Sequence, residues 1–217
     1  MKKLWQNKFI RLLILCLLLV AIEGSSFLLV KITPFKHIML ADYYLVNWPV
    51  IKEFVVFYYT WYLMLFIVPI ILYYKDRERQ KDYIMTYMVT IFLSSIIFFF
   101  FPTELVRDAY VGKGFFNFFL NIIYYVDTPT LNCLPSMHCT LCFLFIYYSL
   151  VSKNIKWYYR LLIVMISLLI MASTILIKQH VVYDIYGALI VAVLSIMIVK
   201  NTKSSNLSER LLKKFSL

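Results

Sequence analysis

Residues 157–199 read WYYRLLIVMISLLIMASTILI (157–177), then KQH (178–180), then VVYDIYGALIVAVLSIMIV (181–199). Each flank is a run of roughly 20 apolar residues, long enough to cross a ~30 Å hydrocarbon layer as an α-helix. Between them sit Lys178, Gln179 and His180, and Asp184 follows one helical turn after the histidine. Ammonium, imidazole and carboxylate groups are costly to place in lipid, so ionisable residues at such positions are usually functional or paired. This stretch predicts a pair of membrane helices with a polar island at the turn that joins them.

Working outward, further apolar runs occur at about 12–30, 54–74, 83–101 and 136–152. Six runs predict an all-α fold, a polytopic six-transmembrane-helix bundle in which each span satisfies its own backbone hydrogen bonds. A mean hydropathy of +0.80, with 63% hydrophobic and only 15% charged residues, lies far outside soluble norms. The 217 residues suffice for a single integral membrane domain, 1–217, and leave no room for a second, soluble one. The first run reads as a retained anchor rather than a cleaved leader. It carries Glu23, and Gly24-Ser25-Ser26 leads straight back into Phe27-Leu28-Leu29-Val30.

The formal net charge of +11 is arranged for topology and points to no nucleic-acid partner. With the N-terminus inside, the cytoplasmic stretches hold Lys2, Lys3, Lys8, Arg11, Lys75, Arg77, Arg79 and Lys81. They also hold Lys153, Lys156, Arg160, Lys200, Lys203, Arg210, Lys213 and Lys214, making sixteen of the 22 basic residues. That asymmetry follows the positive-inside rule. It predicts a multi-pass protein of the cell membrane with both termini cytoplasmic, and segments 31–53, 102–135 and 178–181 on the outer side. The basic tail, 200–217, would lay Leu211, Leu212 and Phe215 on the inner leaflet.

Two of the three outer segments carry further expectations. Segment 31–53, with Pro34, Trp48 and Pro49, reads as a loop anchored at the interface, where His37 is a plain surface histidine. Within 102–135, Phe115, Phe118, Phe119, Ile122 and Val126 recur at helical spacing, with Asn117 and Asn121 on another face. Residues 114–127 are too few to span, and read either as an in-plane interfacial helix or as a helix lying over the bundle. Cys16, Cys133, Cys139 and Cys142 lack the paired spacing of a zinc site and read as small packing residues.

The polar islands carry the chemistry. His180 and Asp184, four apart, share one helical face. A carboxylate there can accept the N–H of one ring nitrogen, fixing the tautomer and leaving the other nitrogen free to attack. The bland alternative is a satisfied polar pair bridging helices. A second island, Pro135-Ser136-Met137-His138, suits a helix entry, with Ser136 as cap or first turn. A helix N-terminus binds phosphate readily, and His138 in that turn is near enough to donate a proton to a leaving oxygen. Capping plus packing is the plainer account of the same residues. Arg107 on the outer loop and Lys178 at the end of the fifth span add a planar fork and a point charge for phosphate oxygens. Taken together these groups specify a phosphoryl site. No acidic cluster is present to hold Mg²⁺, so neither a metal nor another cofactor is expected.

These residues resemble the type 2 phosphatidic acid phosphatase (lipid phosphate phosphatase) superfamily. Its second signature, Pro-Ser-x-His, matches Pro135-Ser136-Met137-His138. Its third, Ser-Arg, five residues, His, three residues and Asp, matches Ser173, Thr174, His180 and Asp184, with Gly187 as the small residue that follows. The first, Lys-x6-Arg-Pro, survives as Arg107, with Phe100 and Asp108 at its other positions and Phe101-Pro102-Thr103 ahead. Thr174 stands where the family has arginine; Lys178, four residues on, is placed to supply the missing cation. The run from Ser173 to Asp184 looks most like the inositol phosphotransferase-like branch.

The resemblance implies a six-helix membrane fold over essentially 54–199 and a set of roles. His180 would be the nucleophile, Asp184 its orienting partner, and His138 the general acid that later activates water or an acceptor hydroxyl. Ser136 and Arg107 would hold phosphate oxygens, with Lys178 and Thr174 at the displaced-arginine position. The expected function is a metal-independent membrane phosphatase hydrolysing a lipid phosphate monoester or pyrophosphate through a phosphohistidine, with its site at the outer face. Its partners would be that lipid phosphate and the surrounding membrane lipids. No oligomeric state follows. Three rivals stand beside it: a phosphotransferase moving a phospho-headgroup to a lipid alcohol, a channel or transporter using the same residues as an ion relay, and a metallohydrolase with His138, His180 and Asp184 as ligands.

Overall fold

The computed structural model describes residues 7–26, 28–40, 48–107 and 112–204. Lys2, Lys3, Asp108 and the tail beyond Ser204 lie outside the described residues, and so do the expectations attached to them. The elements run α1 (Lys8–Ser26), α2 (Leu29–Ile32), β1 (Ile38–Leu40), a 3₁₀ turn (Lys52–Phe54), α3 (Val55–Lys75), α4 (Arg77–Phe100) and β2 (Thr103–Leu105). They continue with α5 (Phe115–Val126), β3 (Thr130–Leu131), α6 (Met137–Val151), α7 (Trp157–Leu176) and α8 (Val182–Ser204).

Five stretches among the described residues are long and apolar enough to cross a membrane: Lys8–Ile32, Lys52–Lys75, Arg77–Phe100, Trp157–Leu176 and Val182–Thr202. The remaining expected span, 136–152, is the 15-residue α6. At ~1.5 Å per residue it reaches only ~22 Å, short of the hydrocarbon thickness. Its start is fixed at Ser136, whose side chain accepts the N–H of Cys139. A shorter helix is tolerated here because α6 is the centre of the bundle, packed against α4, α7 and α8. Met137, Cys139, Leu141, Cys142, Leu144, Phe145 and Tyr148 are all buried. Longer neighbours screen it from lipid. At the other end, α4 begins at Arg77, ahead of the expected 83, because the Asp76 side chain accepts the N–H of Arg79 and caps the charged first turns.

The fold is not purely helical. β1 pairs parallel with β2, and β2 antiparallel with β3, in the order β1-β2-β3. Strands of three and two residues leave no readable alternation, so the strands in 31–53 and 102–135 left no mark in the sequence. The sheet has a positional consequence. Its central strand leads out to Arg107, and its edge strand leads through Asn132 to Pro135 and Ser136. Thr103 ties the two, its carbonyl accepting from Asn132 N at 3.0 Å and its hydroxyl oxygen from Leu134 N at 3.0 Å. His37, expected to be a plain surface residue, pairs across the sheet with Glu104 at 3.1 Å.

Helix α5 covers the bundle over this same end. Its buried face is Asn117, Leu120, Ile123 and Tyr124, while Phe115, Phe118, Ile122 and Val126 of the expected apolar stripe point outward. Leu120, Ile123 and Tyr124 pack with Val55, Tyr58 and Ile177 in a small core of their own. Asn117 is accommodated inside by donating to the Lys113 carbonyl. The inward face packs on the bundle, as the second reading of this segment expects.

Candidate active site

The histidine of the 178–180 island is set by how α7 ends. Lys178 N donates to the Ile175 carbonyl at 2.9 Å and Gln179 N to the Thr174 carbonyl at 2.9 Å. These are the paired bonds of a Schellman cap, with Lys178 in the left-handed region at φ 56°. His180 N also donates to the Thr174 carbonyl, at 3.0 Å, so the histidine leaves the turn in a fixed direction. The cap uses Thr174 through its carbonyl. Its hydroxyl donates to Met171 O at 2.8 Å and lies 3.7 Å from Cys139 Sγ, fully buried.

At the start of α8, Asp184 Oδ2 accepts from His180 Nδ1 at 3.0 Å and from Val181 N at 3.0 Å. Asp184 is fully buried and His180 nearly so, with 11% of its side chain exposed. A carboxylate on Nδ1–H leaves Nε2 as the ring's lone-pair atom. Its turn is locked to the other island, since Ser136 N donates to Asp184 O at 3.4 Å. Gly187 permits the approach: a Cβ there would run into Leu134 Cδ1 and come within 3.7 Å of Pro135 Cα.

His138, in the first turn of α6, faces His180 with ring centroids 6.1 Å apart. Two aromatic rings of α3 hold it, Tyr58 stacked at 4.4 Å and Trp61 at 4.1 Å. Its Nε2 is buried without a hydrogen-bond partner. An orphaned polar atom in a buried site costs free energy unless function uses it. Between α1, α3, α5 and α6 lies a cavity of about 510 Å³, and His138 forms part of its wall.

Arg107 reaches the same place from the sheet. Its Nη2 donates to the Asp127 carbonyl at 2.8 Å, with the Asp127 carboxylate at 3.7 Å, and its Nη1 approaches the Lys178 carbonyl at 3.5 Å. The guanidinium lies 4.0 Å over the Tyr124 ring, whose hydroxyl donates to Ile177 O at 3.0 Å. Arg107 thus binds the end of α5 to the turn that precedes His180. Of the sequence-derived residues, His180, Asp184, His138, Ser136 and Arg107 come together here. Lys178 enters through its backbone carbonyl and Thr174 through the cap. Among the described residues no group of three or more His, Cys, Asp and Glu gathers at metal-holding distance.

Sequence reasoning missed four contributors. Asp127 meets Arg107; burial pushes its carboxyl up from 3.8 to about 6, against the pull of the Arg107 guanidinium. Tyr58 and Trp61 clamp His138, but aromatic residues in a span look alike whether they pack or position. Glu23 lines the cavity, and its signal was legible: a carboxyl inside an apolar run.

The profile of the PAP2 superfamily matches residues 33–198. The chain belongs to the PAP2 superfamily. No curated protein and no solved structure matches it. Membership supports an activity of the phosphatase type, and the apolar helices support a membrane protein. The match starts after α1, so the Glu23 side of the cavity lies outside the matched residues.

Proposed function

We propose that this member of the PAP2 superfamily is a membrane-embedded, metal-independent phosphatase that hydrolyses a lipid phosphate monoester or pyrophosphate through a phosphohistidine. The observation that carries the reading is the His180–Asp184 pair facing an unpartnered His138 across 6.1 Å. In the first step His180 Nε2 attacks phosphorus and the bond from phosphorus to the lipid oxygen breaks, with His138 giving its proton to that oxygen. Water then attacks the phosphohistidine, His138 takes its proton, and the P–N bond breaks to release phosphate. Arg107 and the N-terminus of α6 at Ser136 neutralise the phosphate oxygens, aided by Lys178. The cavity beside His138, of about 510 Å³ and largely aromatic and aliphatic, supports a lipid as the leaving group. Basic residues concentrated on the opposite loops support a site at the outer face of the cell membrane, with both termini cytoplasmic.

A second reading shares the intermediate. The Ser173-Thr174 to His180 and Asp184 run resembles the inositol phosphotransferase-like branch, which includes phosphotransferases that use a lipid alcohol as acceptor as well as plain phosphatases.

Purified protein screened for phosphate release against phosphatidate, phosphatidylglycerophosphate, polyprenyl pyrophosphate and sphingoid phosphates tests the reading. His180→Ala and His138→Ala, expressed at normal levels, should each lose about a thousandfold or more in kcat. Labelled substrate should leave a trapped phosphohistidine in His138→Ala and none in His180→Ala. Retained turnover in His180→Ala rejects the mechanism, and a labelled phospholipid product in place of phosphate selects the transferase.

A further inference from the structure

The cavity beside His138 has an uneven chemistry. Its lining includes Glu23, Asp127 and His138, the remainder being aromatic, aliphatic, methionine and glycine residues, with no lysine or arginine among the described residues. A phosphate would find no cation there. Its counter-charge, Arg107, lies outside the lining, behind Asp127 and against the 178–180 turn. What the cavity suits is the non-phosphate part of a substrate, mostly apolar but bearing a hydrogen-bond donor.

Glu23 is the group that would read such a donor. It lies on α1, 3% exposed, and accepts from the Tyr87 hydroxyl of α4 through Oε2. One phenol satisfies part of a carboxyl that has two oxygens and about four acceptor sites. Its neighbour Gly24, exposed at the mouth of the cavity, also lines it, and a Cβ built there meets nothing within 4 Å. No packing contact requires glycine at this point in a helix, where it costs about 0.5–1 kcal/mol relative to alanine. A buried glutamate and the orphaned His138 Nε2 in the lining of one cavity describe a binding subsite better than a packing defect.

We propose that this cavity is a lipid-backbone subsite in which the Glu23 carboxyl accepts a hydrogen bond from a hydroxyl, amide N–H or ammonium next to the reacting phosphate. The inference rests on the phosphoryl-transfer reading above and narrows its substrate class to donor-bearing lipids, whether these enter as the phosphorylated substrate or as the alcohol acceptor.

The test compares oleoyl lysophosphatidate, which keeps a free hydroxyl beside the phosphate-bearing carbon, with dioleoyl phosphatidate, in which that oxygen is esterified. The full-length protein should favour the hydroxyl lipid in kcat/KM by about tenfold or more, the usual scale for one hydrogen bond to a carboxylate. Glu23→Leu should bring the ratio near one, and Glu23→Gln, which keeps an acceptor oxygen, should retain part of it. Tyr87→Phe removes the interhelical bond alone and should keep the ratio. A ratio unchanged in Glu23→Leu, or one lost equally in Tyr87→Phe, overturns the proposal in favour of a tether between α1 and α4. Gly24→Leu should lower kcat/KM for both lipids by about tenfold without lowering the melting midpoint, because it fills space and restores helix propensity. Unchanged turnover in that variant removes the cavity from the substrate path.

A binding arm separates this idea from the reaction itself. Trp61 lines the cavity and is 5% exposed, so in a chain carrying Trp5→Phe, Trp48→Phe and Trp157→Phe it reports occupancy. Saturable quenching by a lysophosphatidate brominated on its chain, weakened by Glu23→Leu, supports the subsite. The same quenching with no phosphate release rejects the phosphatase reading and leaves the subsite standing. Absence of saturable quenching rejects the subsite. Transfer of labelled phosphate onto monooleoylglycerol, weakened by Glu23→Leu, would place the donor on the acceptor instead of the substrate.

Discussion

At Asp127 two demands meet in one carboxyl. It holds Arg107 through its backbone carbonyl and its side chain, yet its burial opposes ionisation and lifts its pKa from 3.8 to about 6. The sign of the linkage follows directly. Between those values the unfolded chain has released the proton and the folded chain retains it, so folding is favoured at low pH and the advantage fades as pH rises through about 6. At ~1.4 kcal/mol per pKa unit, the total is about 2–3 kcal/mol before solvent screening reduces it. Melting midpoints in detergent from pH 4.5 to 7.5 should therefore show the wild type losing ground to Asp127→Asn as pH increases. Parallel curves would reject the assignment. Nothing in the sequence marked this residue, because its importance lies in meeting Arg107, which is separated from it along the chain.

Among the elements, α8 shows how a motif becomes a site. Its first turn carries Asp184, and three residues later Gly187 lets the helix backbone close on Leu134 and Pro135. That contact, with the Ser136 N to Asp184 O bond, sets the distance between the two islands. Gly187→Val should push the helix away from the turn while leaving its hydrogen bonds intact. A displacement of about 1 Å at the reacting groups costs on the order of a hundredfold in rate. The expected outcome is that loss in kcat for phosphate release with an unchanged far-ultraviolet spectrum; an unaffected kcat would mean that the islands tolerate slack. The spacing of His180 and Asp184 was readable because it lies within one helix. The facing of α5 was not, because its periodicity separates a phenylalanine stripe from the Asn117 face without saying which turns inward, and the Asn117 amide is satisfied inside by the Lys113 carbonyl.

Over the whole molecule the chemistry is polarised. Both histidine islands, Arg107, the sheet and α5 share one end of the bundle. Toward the other end Ser152 Oγ donates to Asp76 Oδ2 at 2.9 Å, and Arg160 donates to the Ser152 carbonyl at 2.7 Å and the Ile155 carbonyl at 2.8 Å. Under the topology proposed above, that second end faces the cytoplasm. The four native cysteines are free and at most 2% exposed, so introduced cysteines can be read against them. Phe115→Cys, at a residue 70% exposed, should react with a membrane-impermeant maleimide on intact cells, and Lys156→Cys only after permeabilisation. The reverse pattern would invert the proposed topology.

By itself the sequence determined what is local or cumulative. Apolar runs near 20 residues set the membrane helices, the lysine and arginine count set an expected orientation, and short spacings set the His180–Asp184 pair and the Ser136 cap. Tertiary structure alone decided what depends on separate segments meeting. It brought His138 against His180, set Asp127 beside Arg107, let the short α6 sit among longer helices, and opened a cavity toward Glu23. Hydrophobic periodicity reports how a segment relates to its own axis, and carries no information about which distant segment will lie against it.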